Sequence, residues 1–247
     1  MGNSYQKLVD PKKEAVNNAL RCATNYSNNN KSIVALLESG ADPMISVSTN
    51  LFDDQSPILY VTAVSGRVPL FKVMYKYADN PDNLELLKHV ISNAQDKTRM
   101  EDIYNFILEI DQSILQLPNA TILINHIVKT MSERDKYYPP MLKLCILILQ
   151  KNHNIMADTD IRTFLMKAAC RVDQLELLKL FSEYNYCFDK GCLLEIAAKH
   201  NATQVAEYLI KEQHILETDG LHLGCILEYA TKKNNSQLIT MCTERSN

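Results

Sequence analysis

Four segments of this chain repeat one pattern, a leucine followed three and four residues later by small residues. They are Leu59 with Thr62-Ala63, Leu165 with Ala168-Ala169, Leu194 with Ala197-Ala198, and Leu227 with Ala230-Thr231. Leu20 with Ala23-Thr24 is a weaker fifth copy. Spacings of three and four put the repeated residues on one face of a helix. After each copy comes a short polar turn and a second apolar stretch: SIVALLES, VPLFKVMYKY, QLELLKLFSEY, TQVAEYLIKE and SQLITMC. The two small residues let the second helix and the neighbouring copy approach closely, while the leucine fills the space between them. A pair of helices with one apolar face cannot bury that face alone, so the copies must stack.

The stretch between the second and third strong copies reads as helix pairs too. LELLKHVISNAQ precedes MEDIYNFILEID, and ATILINHIVKTM precedes PPMLKLCILILQKN. With Leu87 and Leu123 as further anchors, the intervals between anchors are 39, 28, 36, 42, 29 and 33 residues. Alternating strand-like runs are few, and no Asn-Gly or Asp-Gly turn lies between such runs. The expected fold is therefore all-α: about seven stacked helix pairs in one domain over residues 1–247. Clear repeats cover about 14–81 and 158–247, and degenerate, irregular pairs cover about 82–157.

Residues within these units resemble the ankyrin repeat, whose period is about 33 residues and whose first helix opens on Thr-Pro-Leu-His-x-Ala. Ser56-Pro57-Ile58-Leu59-Tyr60 stands where that motif falls, and Gly66 where the family keeps an inter-helix glycine. Ile33-Val34-Ala35-Leu36-Leu37 runs into Gly40-Ala41-Asp42-Pro43, the ending of the family's second helix. Within SIVALLESGADP, Gly40 is expected to take the left-handed conformation and Pro43 to stop the helix. Departures are the absence of the family's histidine in every unit and the scarcity of glycine, six in 247 residues, so irregular connections are expected. A tetratricopeptide or HEAT-like solenoid fits the same helix pairs, although the Trp-x-x-Leu-Gly signature of the former is absent.

Composition excludes several functions. A chain of 247 residues buries an adequate core without a cofactor. Net charge is −3, split −2 and −1 between residues 1–130 and 131–247, so neither half is a polybasic binder of nucleic acid or membrane. The longest apolar run, CILIL at 145–149, falls far short of a membrane span. The first residues lack a signal-peptide core, and Gln6 occupies the position where the myristoylation pattern after Gly2 needs Ser or Thr. Seven cysteines, mostly in apolar helical stretches, fit reduced core thiols in the cytosol. Glycines at 2, 40, 66, 191, 220 and 224 form no phosphate-binding loop.

Other candidate chemistry reads as structure. Cys187 and Cys192, with His200 or His214, make a poor zinc set because no second cysteine pair exists. His214 and His222 flank a polar turn with Glu217 and Asp219. Asp158-Thr159-Asp160 looks like paired acids but precedes a helix, where such residues cap free N–H groups. LQLPNATILINHIVKTM at 115–131 faintly resembles the opening of an F-box, and Pro118 starting a repeat helix explains it equally well. No catalytic residue, cofactor or metal is expected.

The ankyrin resemblance implies that a partner protein binds the concave face formed by the first helices and the hairpin tips. Counting two and five residues past each anchor gives the expected groove positions, which include Cys22, Val61, Val64, His89, Ser92, Asn125, Val128 and Cys170. In the last three units the same count gives Lys167, Ile196, Lys199, Tyr229 and Lys232, with Arg171 and Lys233 one step further round. These residues fit an acidic or phosphorylated segment of a partner, with Ile196 and Tyr229 as apolar anchors. Leu51 and Phe52, in an expected loop at 44–56, form a second candidate contact. The expected function is a non-enzymatic adaptor, inhibitor or effector, monomeric outside its complex and cytoplasmic. With 21 asparagines the chain also resembles the ankyrin proteins of AT-rich intracellular bacteria, which implies secretion into a host cell. The alternative is an enzyme or ubiquitin-ligase adaptor with its site at 82–155.

Overall fold

The anchor leucines decide the packing. Leu20, Leu59, Leu87, Leu123, Leu165 and Leu194 are each 0% exposed, whereas Leu227 is half-buried and Ile226 beside it takes the core position. A computed structural model describes residues 10–26, 30–49, 52–94, 99–134, 138–186, 189–212 and 220–244. These residues form fourteen α-helices, two short 3-10 helices and one two-stranded hairpin. The all-α expectation holds.

Residues 1–111 and 112–247 are two compact units. The first contains α1 (Pro11–Tyr26), α2 (Asn30–Glu38), β1 (Ser46–Thr49), β2 (Phe52–Pro57), α3 (Ile58–Val64), α4 (Val68–Tyr77), α5 (Asn83–Asn93) and α6 (Met100–Ile110). Helices pair α1 with α2, α3 with α4, and α5 with α6. First helix packs on first helix, α3 on α5, and second on second, with α4 between α2 and α6.

The second unit begins with a 3-10 turn at Gln112–Leu115, followed by α7 (Asn119–Arg134), α8 (Pro139–Lys151) and a second 3-10 turn at His153–Ala157. Then come α9 (Thr159–Arg171), α10 (Leu175–Glu183), α11 (Lys190–His200), α12 (Thr203–Glu212), α13 (Gly220–Lys232) and α14 (Ser236–Glu244). Four pairs form in chain order, with α9 packed between α7 and α11, and α11 between α9 and α13. The second helices repeat this order, α10 lying between α8 and α12 and α12 between α10 and α14.

One segment departs from the sequence reading. The expected loop at 44–56 is largely an antiparallel hairpin, pairing Ser46 with Pro57, Val47 with Ser56 and Thr49 with Phe52 around a bulge. Val47 and Ser56 are buried. The β-branched residues Val47 and Thr49 favour extended backbone, but no glycine marks the turn, so the usual hairpin signal is missing. The hairpin also starts α3. Pro57 offers no side-chain cap, and the free N–H groups of Ile58 and Leu59 donate instead to the carbonyls of Ile45 and Pro43, each at 3.0 Å.

Scarcity of glycine is met by asparagine and aspartate. Gly40 closes α2 at φ 92°, its N–H donating to Leu37 and that of Ala41 to Leu36. This is the paired closure in which a left-handed residue satisfies the last carbonyls of a helix. The same pair of bonds ends α3 at Gly66 (φ 70°), α10 at Asn185 (φ 56°), α11 at Asn201 (φ 60°) and α13 at Asn234 (φ 52°). Asp173 (φ 56°) ends α9 with the longer bond, Gln174 to Ala169, at 2.9 Å. Short polar side chains tolerate this backbone better than other non-glycine residues do.

Two substitution sets test these assignments by urea unfolding. Leu194→Ala is expected to cost about 2–5 kcal/mol. Gly40→Ala, where an added Cβ meets nothing within 4 Å, should cost about 1–2 kcal/mol through backbone strain alone. Asn185→Gly, by contrast, should be neutral or slightly stabilising; a clear loss there would show that the asparagine side chain has a further role.

Candidate binding surface

The bonds that close α9, α11 and α13 define which residues are equivalent. Gln174, Ala202 and Asn235 donate to Ala169, Ala197 and Ala230, all at 2.9 Å. Counted from these bonds, Arg171, Lys199 and Lys232 each stand two residues before the left-handed residue, in the last turn of their helices. Lys167 falls elsewhere. It is equivalent to Glu195 and Glu228, because Ala168-Ala169 fits the leucine-and-small-residue pattern in two frames and the observed frame aligns Met166, not Leu165, with Leu194 and Leu227.

Three successive first helices therefore carry a cation at the same place. Lys199 and Lys232 are exposed and Arg171 is half-buried. Lys233 is exposed one position on, equivalent to His200, which is also exposed and was considered from the sequence only as a zinc ligand. One turn earlier Ile196 and Tyr229 are half-buried, beside Glu195 and Glu228. The Lys232 ammonium lies 2.6 Å from the Glu228 carboxylate within α13, and this hydrogen bond holds the Glu228 carboxyl below its usual range. Both groups are solvent-exposed, so the pair adds little to stability.

Of the other expected groove positions, Cys22 and Asn125 are exposed, Val61, His89, Ser92 and Val128 are half-buried, and two are core. Val64 is 1% exposed and Cys170 0%, the latter because the frame of α9 puts Arg171, not Cys170, at the place of Lys199 and Lys232. Leu51, Cys187, His214, Glu217 and Asp219 lie outside the described residues, as do the side chains of Asn25, Phe52 and His222. Asp158 is a cap, accepting from the N–H groups of Asp160 and Ile161 at 2.9 and 3.1 Å.

Residues 82–155 hold ordinary helix pairs plus the two 3-10 turns. A shallow groove of about 270 Å³ there is lined by Leu117, Thr121, Asn125, Asn154, Ile155, Asp158 and Ile161. Its single carboxylate is the capping Asp158. Tyr60, in the first unit, packs against the His89 ring at 5.5 Å and donates to the Asp82 carbonyl at 3.2 Å. Burial, reinforced by Asp82 and Glu85, pushes its phenol up to about 12. Among the described residues no group of three or more His, Cys, Asp or Glu is placed to hold a metal, and no helix is long and apolar enough to cross a membrane.

Cysteine environments divide sharply. Cys145, Cys170 and Cys242 are buried, Cys192 is half-buried, and Cys22 and Cys225 are exposed, so the expectation of core thiols holds for only part of the set. Burial raises the Cys145 and Cys242 thiols, and raises Cys170 to about 12 with Cys192 and Asp173 adding to the effect.

In comparisons with known proteins, the chain matches no family model, no curated protein and no solved structure.

Exposed thiols react as thiolates, whereas buried neutral ones do not. Native alkylation with iodoacetamide at pH 8, read by peptide mass spectrometry, should label Cys22 and Cys225 first and Cys145 and Cys170 only after unfolding. Equal native rates for Cys170 and Cys225 would contradict the packing of α9 against α11.

Proposed function

We propose that this chain is a non-enzymatic protein-interaction module of ankyrin-like character, an adaptor, inhibitor or effector that binds a partner along its first helices. The partner is an acidic or phosphorylated protein segment. The observation that carries this reading is the occurrence of Arg171, Lys199 and Lys232 at one equivalent place in three consecutively packed helices. Cations repeated at that interval, with Ile196 and Tyr229 offering apolar surface one turn away, suit a linear anionic ligand. Lys233 extends the positive edge. The module acts as a monomer in a reducing cytosol, in the producing cell or in a host cell into which it is delivered. No nucleic acid, membrane, metal or cofactor is required for this role.

The enzyme or ubiquitin-ligase reading placed its site at residues 82–155, and less supports it. The groove in that region offers one carboxylate, already used as a helix cap, two asparagine amides and the Thr121 hydroxyl. None of these is a general base for that hydroxyl, and covalent catalysis needs a nucleophile with a base.

Affinity capture with the native chain and with the Lys199→Glu/Lys232→Glu double variant tests the proposal. The partner should be retained by the first and reduced at least about tenfold with the second, as expected when charge complementarity is reversed at an interface. Circular dichroism of the double variant should be unchanged. Equal capture by both forms would overturn the assignment of this surface.

A further inference from the structure

Where equivalent cations recur from helix to helix, the helix spacing sets the spacing of the charges they recognise. Helices in direct contact lie about 8–10 Å apart. Because α9 packs on α11 and α11 on α13, and each ends on the same closure bond, the last turns that carry Arg171, Lys199 and Lys232 are set off from one another by about that interval. A fully extended strand repeats its side chains on one face at about 6.6 or 13 Å, a poor match. A polyproline II segment repeats every third residue with a rise of about 3.1 Å per residue, returning a side chain to the same side at about 9 Å.

We infer that the C-terminal first helices read an extended, polyproline-like segment bearing acidic side chains at every third position, one for each of Arg171, Lys199 and Lys232. This rests on the proposed function and specifies its ligand. The two glutamates one turn before Lys199 and Lys232 sharpen the selection. In α11 and α13 a second anion beside the first would face Glu195 or Glu228, which confines the ligand's carboxylates to the last-turn row there, whereas in α9 the equivalent place holds Lys167. An uncharged or apolar residue next to each acid meets Ile196 or Tyr229.

Fluorescence polarisation with three labelled peptides of equal net charge, two of them nonapeptides, separates the possibilities. One repeats Glu-Pro-Ala three times; the second has the same composition with its three glutamates adjacent; the third is a longer, helix-favouring peptide with glutamates seven residues apart. The repeat peptide should bind at least tenfold tighter than either other, and Lys199→Glu should weaken it at least tenfold while leaving the circular dichroism spectrum unchanged. Equal binding of the repeat and clustered peptides would overturn the spacing rule but leave an acid-binding surface in place. Tighter binding of the helical peptide would overturn the extended conformation. Failure of all three to bind would overturn both the spacing rule and the acidic-partner reading beneath it.

Discussion

The structure depends on one backbone event repeated along the chain, the entry of a single residue into the left-handed region at the end of a helix. Gly66, Asp173, Asn201 and Asn234 each do this at the end of a first helix, reversing the chain in two or three residues. Because the reversal is so short, the second helix packs against the first that precedes it, and the apolar faces of both are used up within the stack. Side chains at these turns also reach their neighbours. Asp173 accepts from the N–H groups of Gln204 and Val205 at the start of α12, and Asn235 donates to Asn201 at 2.8 Å and to Thr203 at 2.9 Å. In the first unit arginines take the same part: Arg67 donates to the Thr24 carbonyl and Arg99 to that of Gly66. The chain is thus stitched from turn to turn as well as packed from helix to helix.

That stitching determines which residues share a row. The last turns of α9, α11 and α13 are the negative ends of their helix dipoles, and a cation there is favourable to the helix itself. On the proposed function, Arg171, Lys199 and Lys232 serve helix stability and recognition together. Lys232 already has the Glu228 carboxylate as a partner, so on that proposal the strength of recognition comes from the number of cations in line rather than from any one of them.

Much of this was legible in the sequence. The leucine anchors found the core in six of seven helix pairs, since full burial of an aliphatic side chain contributes roughly 1.5–3 kcal/mol and leaves a clear periodicity. Gly40 as a left-handed cap and Asp158 as a helix cap were equally readable, each belonging to local chemistry with a narrow choice of residues. What failed was finer. In α9 the consecutive alanines at 168 and 169 allow two frames, and only the bond from Gln174 to Ala169 selects the one that removes Lys167 from the basic row and admits Arg171. The hairpin between α2 and α3 and the two 3-10 turns are irregular connections between pairs, while inside pairs Asp173, Asn201 and Asn234 take the left-handed backbone that glycine would, at modest cost, which the sequence reading did not anticipate. The hairpin at 46–57 gave no signal because its turn has no glycine, and its pairing serves α3, a tertiary demand that local propensity does not encode.

The coupling of adjacent turns can be measured by a double-mutant cycle in urea unfolding, using Asn201→Gly, which keeps the left-handed backbone but removes the side-chain acceptor, and Asn235→Ala. If the turns are joined through these side chains, the two losses should be non-additive by about 0.5–1.5 kcal/mol, the range for one hydrogen bond. Strict additivity within about 0.3 kcal/mol would mean that the turns close independently, and that the register of Arg171, Lys199 and Lys232 is not set by them.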